Sequence, residues 1–310
     1  MRPLRALVIY IAVVFIGGAL FAPWLYRLAQ LFAHSFPQAA RATFHRFMDR
    51  SFLIFALAGL WPMLRSLGAM SWRETGLIPP YGQWKKLFGG MLLGFLTLAL
   101  VAAIAVGGGD RAFAPAMSAH KLVAVFFGAA VTAALVGTLE EILFRGGIFG
   151  GLRRVLYWPF ALFISSAIYA LVHFLQSAES TGPIGWDSGL ALLPRMLSGF
   201  ADLHAILPGF FSLTLAGVLL GLAYQRTGNL YFSIGLHAGW IFCLKIYGQI
   251  TLQSPHAAVW FWGGGKMTDG WLAFFALAVT LAVFPFLPLD QRRPRYAIPG
   301  HLSSSSASSS

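Results

Sequence analysis

The chain has 310 residues, of which 58% are hydrophobic and 10% charged, and its formal net charge is +12. A soluble globular domain carries about 25% charged residues, so this composition cannot cover a water-facing surface and most of the chain must face lipid. The 22 Lys and Arg lie mainly between apolar runs, where they read as topology and headgroup charges, not as a nucleic-acid surface.

Arg2 and Arg5 precede an apolar run from Ala6 to Trp24. That run exceeds the roughly 7 to 15 apolar residues of a secretory signal and further spans follow, which predicts a retained first helix. From Arg27 to Ser51, Arg27, Arg41, Arg46 and Arg50 alternate with Phe36, Phe44 and Phe47, the pattern of an interfacial amphipathic helix. Spans are expected at Phe52 to Ala69, shortened by Pro62 and Arg65, and at Phe88 to Val106, ahead of the Gly107 to Gly109 triplet. A fourth helix starts at Lys121 and continues through Glu140, Glu141 and Arg145 toward Leu152, and Trp158 to Leu175 makes a fifth. Gln176 to Pro208 reads as a long loop with an interfacial helix. Leu207 to Tyr224, Leu230 to Tyr247 and Trp271 to Phe286 follow, before Arg292, Arg293, Arg295 and a Ser-rich terminus expected to be disordered. The fold class is therefore all-α, a polytopic transmembrane helix bundle of about eight spans. The distribution of basic residues favours both termini inside. Cys243 is the single cysteine and forms no intramolecular disulfide.

Ionisable groups inside spans cost about 2.5 to 3.5 kcal/mol each on insertion scales, so the few present should be purposeful. In the fourth helix Glu141 precedes Arg145 by four residues, the favoured acid-first orientation, and the two can neutralise one another. Glu140 is rotated about 100° from Glu141 and has no counter-charge close in sequence. Its available partners are His173 and His237, near the end of the fifth span and within the seventh. One Glu and two His from three helices suffice to activate water and polarise a carbonyl, which points to amide hydrolysis without a Ser or Cys nucleophile. A structural reading competes: a Glu–Arg pair can simply tie helices together, and an intramembrane His can serve as a hydrogen-bonded linker. His34, His45, His120, His204, His256 and His301 fall in loops or interfacial segments. No His-Glu-x-x-His occurs, and Arg145 supplies positive charge beside the carboxylates; no cofactor is expected, the alternative being a divalent metal such as zinc on Glu140, His173 and His237. Gly146, Gly147, Gly150 and Gly151 have the small-residue spacing of close helix packing.

These residues resemble the CPBP family, the CAAX protease and bacteriocin-processing (Abi) intramembrane endopeptidases. The resemblance rests on Glu140-Glu141-x-x-x-Arg145, on Tyr169-x-x-x-His173 where the family has Phe, and on His237 in Gly235-Leu-His-Ala-Gly-Trp-Ile241. It implies a four-helix catalytic core in which Glu140 and His173 activate water, Glu141 and Arg145 hold the site and His237 donates to the oxyanion. It also implies a membrane-associated protein or peptide as substrate. The family's second oxyanion donor, an Asn four residues after the third-motif His, is here Ile241; Lys245 and backbone amides are candidate substitutes. The only Asn, Asn229, lies at a helix start, where it suits a cap.

The expected organisation is N-terminal membrane helices over 1–118, a CPBP-like core over 119–250, a C-terminal loop and last span over 251–298, and a tail over 299–310. The expected location is the cytoplasmic membrane of a bacterium, and nucleic acid is not an expected partner. Two alternatives stand beside the protease: a weak or inactive member serving as an immunity or scaffold protein, favoured by Ile241, and a proton-coupled transporter. No inverted repeat or pair of broken helices supports transport.

Overall fold

A computed structural model describes residues 2–68, 71–176, 178–180, 182–264 and 267–289, with the side chains of residues 2–4, 204 and 205 outside that description. The His204 side chain, His301, Arg292, Arg293, Arg295 and the Ser-rich tail thus lie outside the described residues.

The protein is a helical bundle. Its helices are α1 (Arg2–Ala12), α2 (Gly18–Leu31), α3 (Pro37–Ala40), α4 (Phe44–Ser66), α5 (Trp84–Gly107), α6 (Ala119–Glu141), α7 (Gly150–Leu152), α8 (Trp158–Val172), α9 (Ser188–Met196), α10 (Leu203–Thr227), α11 (Tyr231–Ile250), α12 (Val259–Trp262) and α13 (Trp271–Val283). A π-helical turn at Val13–Gly17 joins α1 to α2, and a longer one at Ile142–Phe149 joins α6 to α7. Five continuous helices are long and apolar enough to cross a membrane: Arg5–Leu31, Phe44–Ser66, Trp84–Gly107, Ala119–Leu152 and Ile206–Thr227. The other three expected spans also form helices. Of these, α8 has 15 residues, about 23 Å at 1.5 Å per residue, which is short of a hydrocarbon core of about 30 Å.

The stretch from Arg27 to Ser51 is not the single interfacial helix its pattern suggests. α2 runs on to Leu31, Pro37 starts the short α3, and Phe44 already begins α4. Two of the three aromatics are covered by protein instead of lipid, while Phe36 stays exposed: Phe44 and Phe47 meet Tyr26 edge-on at 5.8 and 5.4 Å, and Met48 packs with Ala19 and Ala22. The second span therefore starts at Phe44, not Phe52, and contains Asp49. A helix does form between Gln176 and Pro208, α9, whose Gly189 sits so close to α2 that a Cβ there would lie 2.0 Å from the Ala19 carbonyl oxygen.

The most extensive helix contact among the described residues joins α5 to α11, and its cause is a pair of glycine repeats. A Cβ on Gly90 or Gly94 would lie 2.2 Å from Phe232 O and 2.1 Å from Leu236 O; one on Gly235 or Gly239 would lie 1.9 Å from Leu87 O and 2.3 Å from Met91 O. Lipid tails are as apolar as Leu, so helices in a bilayer gain little from hydrophobic burial and associate through such close backbone packing. Beyond this seam the chain makes a feature not expected from the sequence, a two-stranded antiparallel ladder of β1 (Arg111–Phe113) on β2 (Thr251–Gln253). Arg111 fastens it, donating to Thr251 Oγ1 at 3.2 Å with its guanidinium 4.5 Å above the Tyr247 ring. The effect is to clip the far ends of α5 and α11 together.

Candidate active site

The site forms where the end of α6, the end of α8 and the first half of α11 converge. α11 is held by the glycine seam along one face, and His237, between Gly235 and Gly239 in sequence, projects elsewhere, toward α6. Glu141 is fully buried, with Arg145 and His237 1% and 5% exposed. Its Oε1 accepts from Arg145 Nη1 at 2.9 Å and lies 3.0 Å from His237 Nδ1. Arg145 further stacks 4.5 Å over the Tyr169 ring and reaches the Gly217 carbonyl at 3.5 Å. A carboxylate that accepts from a guanidinium is ionised, so His237 Nδ1 carries the proton that faces it and Nε2 is left for the cavity. The expected pairing of Glu141 with Arg145 is present in the structure, and His237 as a shared third partner is new.

Glu140 points the other way along α6, as the 100° rotation predicts. Its Oε2 lies 4.0 Å from His173 Nε2 and 3.8 Å from His237 Nε2, beyond direct hydrogen-bond distance of either. That oxygen is buried and has no hydrogen-bond partner among the described residues. His173, just past the end of α8, has its Nδ1 2.7 Å from the Tyr169 carbonyl oxygen. A carbonyl only accepts, so Nδ1 carries the proton and Nε2 presents its lone pair to Glu140. The Tyr169 hydroxyl, at 3.4 Å, is the second group near His237 Nε2.

A cavity of about 370 Å³ opens onto these groups, with Glu140, Tyr169, His173 and His237 in its wall. Ile241 and Lys245 line it as well, so the position where the resemblance expects an Asn does face the site. Sequence reasoning missed Ser212 and Trp240, which line the same cavity and whose Oγ and Nε1 are buried without partners among the described residues. Nothing in the pattern separates them from other residues of an apolar helix. Asn229 caps α11, its Oδ1 accepting from Tyr231 N at 3.1 Å. His45 lies away from the site and pairs with Glu179. Among the described residues no group of three or more His, Cys, Asp or Glu has the arrangement of a metal site.

The long π-helical turn begins right after Glu141 and includes Arg145. Such wide turns are rare in helices and concentrate at functional sites. Here Gly146 and Gly147 let it pack closely: a Cβ on Gly147 would meet Leu60 Cδ1 at 2.4 Å, and one on Gly146 the Thr75 carbonyl at 3.2 Å.

Removing Arg145 leaves a fully buried Glu141 with only an imidazole for compensation. Arg145→Ala is expected to destabilise the protein by about 3 to 5 kcal/mol, against much less for the double change Arg145→Leu with Glu141→Gln. Thermal unfolding in detergent checks this, and equal losses in both variants would contradict it.

Fold and site together define an integral membrane helical bundle with a Glu/His centre inside its apolar part. Residues 121–243 match the family model described as Rce1-like, type II CAAX prenyl endopeptidase. This stretch, somewhat under half of the chain, carries the mark of the CPBP/CAAX protease family, whose members are membrane proteases acting on membrane-associated proteins. No curated protein and no solved structure matches the chain.

Proposed function

We propose that the protein is an intramembrane endopeptidase of the glutamate type, which hydrolyses a peptide bond of a membrane-associated protein or peptide with water activated by Glu140 and His173. The observation that carries this reading is the Glu140 Oε2, a buried carboxylate oxygen with no hydrogen-bond partner among the described residues, 4.0 and 3.8 Å from two imidazole Nε2 atoms. A buried polar oxygen without a partner costs stability and so calls for a reason. Gaps of this length are what one water molecule spans. A water donating to Glu140 Oε2 and His173 Nε2 has its oxygen lone pair free for a carbonyl carbon. The water oxygen bonds to that carbon, its proton passes to Glu140, and the carbonyl oxygen takes up negative charge. His237, once a proton from solvent occupies Nε2 and its charge is balanced by Glu141, donates Nε2–H to that oxygen, with the Tyr169 hydroxyl beside it. When the C–N bond breaks, the leaving amine takes the proton from Glu140.

The test is a mass-spectrometric survey of new peptide termini in membrane fractions from cells with the wild type, Glu140→Gln or His173→Ala at matched levels. Termini present only with the wild type support the reading, and identical profiles refute it. Chelation of divalent metal is expected to leave cleavage by the purified protein unchanged. Loss on chelation with recovery on adding zinc would instead place a metal on Glu140, His173 and His237.

Ile241 favours a second reading, a non-catalytic member that binds a partner through the same cavity. Because position 241 lines the cavity, Ile241→Asn introduces a donor there. One oxyanion donor is worth about 10² to 10³ in rate, so a slow protease should accelerate by up to that factor. A binding protein should gain no turnover at all.

A further inference from the structure

Glu140 and His173 belong to two cavities at once. The first, about 370 Å³, lies toward α10, α11 and α13, and the second, about 410 Å³, lies toward α1, α4 and α8. Residues from the N-terminal helices, among them Tyr10, Val14, Phe52 and Ala56, form much of the second wall, and they fall outside the stretch 121–243. Both volumes fall in the range that accommodates part of a bound ligand. A reacting segment placed at Glu140 therefore has room on both sides of it.

Apart from the Glu140 and His173 that they share, the walls hold few charges. The second cavity has Asp49 and is otherwise apolar except for Tyr10, whose hydroxyl is spent on the Ala56 carbonyl at 2.8 Å. The first has Lys245, besides His237 at the reacting centre. Both Asp49 and Lys245 are exposed, and neither forms an ion pair within 4 Å among the described residues. The charges nearest Asp49 on its own helix are His45, which is engaged with Glu179, and Arg50. One cavity thus offers an anion, the other a cation, and the carboxylate and imidazole of the centre lie where they meet.

We propose that the two cavities are the halves of one substrate passage with opposite charges at its ends. The protein then takes a membrane-associated peptide segment carrying a basic side chain on one side of the cut bond, held at Asp49, and an acidic group on the other, held at Lys245. This rests on the hydrolase reading above and adds to it the class of substrate and two specificity residues. Apolar side chains between the charged ends fit the walls. Charge complementarity of this kind selects partners mainly by the penalty on like charges, so reversing one pole should exclude the former substrates and admit new ones.

The experiment sequences new termini in membrane fractions containing the wild type, Asp49→Lys, Lys245→Glu, the double reversal, or Glu140→Gln, all at matched levels. With the wild type, Lys or Arg is expected at a fixed position on one side of the cut, and Asp, Glu or a chain terminus on the other. Asp49→Lys should deplete the first preference about tenfold and leave the second intact, and Lys245→Glu should do the reverse. Asp49→Asn and Lys245→Gln, which lose the preference without inverting it, replace any reversal that does not accumulate. Unchanged cleavage sequences, changes on the same side for both residues, or a uniform fall at every site overturns the passage while leaving the hydrolase intact. If Glu140→Gln yields the same termini as the wild type, it is the hydrolase reading that fails, and the passage falls with it.

Discussion

Glu140→Gln is expected to lower peptide-bond cleavage by about 10⁴-fold while leaving the protein folded and as heat-stable as before. Gln keeps the shape of the side chain but cannot take the proton from water. No hydrogen bond is lost at Oε2, because that oxygen has no partner among the described residues, and the substitution removes a partly buried charge whose side chain is 27% exposed. Unfolding temperature should hold or rise, as happens when a functional strain is relieved. Its neighbour behaves oppositely: Glu141 carries both Arg145 and His237, so its replacement costs activity and stability together. Paired measurements of cleavage and thermal unfolding on the two variants separate a chemical role from a structural one. A Glu140→Gln protein that melts well below the wild type would mark Glu140 as a helix tie and not a base.

Gly235→Ala should cripple the protein through packing alone. The added Cβ would lie 1.9 Å from Leu87 O, 2.8 Å from Leu87 C and 2.9 Å from Met91 N. All three are backbone atoms, so no rotamer change can make room and α5 must move away from α11. Overpacking of this kind costs about 3 kcal/mol. The displaced α11 carries His237 two residues further on, and a shift near 1 Å at a reacting group can cost about 10²-fold in rate. The control is Gly248→Ala on the same helix, where a Cβ would meet nothing within 4 Å. It should be neutral or stabilise by up to about 1 kcal/mol, through helix propensity. Equal behaviour of the two variants would show that the glycine seam does not hold the site.

Particular residues show how far the pattern reaches. The composition and the apolar runs locate the helices, and the four-residue spacing of Glu141 and Arg145 gives their ion pair, because both follow from one helix's geometry. The 100° separation of Glu140 from Glu141 similarly carries over into two separate surroundings, the one facing His173 and His237 Nε2 across the cavity and the other held by Arg145 and His237 Nδ1. Where Phe44 begins a helix was not legible, since alternating Arg and Phe suits an interface as well as a buried face. Only the arrival of Tyr26, Ala19 and Ala22 decides between them. Gly235 and Gly239 have the spacing of a packing motif, yet sequence cannot say that they pack on the backbone of Leu87, Met91 and Phe95, well over a hundred residues away.

By itself, then, the sequence determined a membrane-embedded helical protein and the short roster of chemically able side chains, because lipid admits few charges and each one present stands out. The resemblance of three short motifs supplied the expectation of a CPBP-type protease, and the match of residues 121–243 to the Rce1-like family model supports that kind of function. Tertiary structure alone decided that His237 shares Glu141 with Arg145, that His173 and His237 turn Nε2 toward Glu140, and that two cavities meet there. The reason is one of range: periodicity orders neighbours within a helix, whereas the positions of α6, α8 and α11 relative to one another come from backbone contacts between segments far apart in the chain.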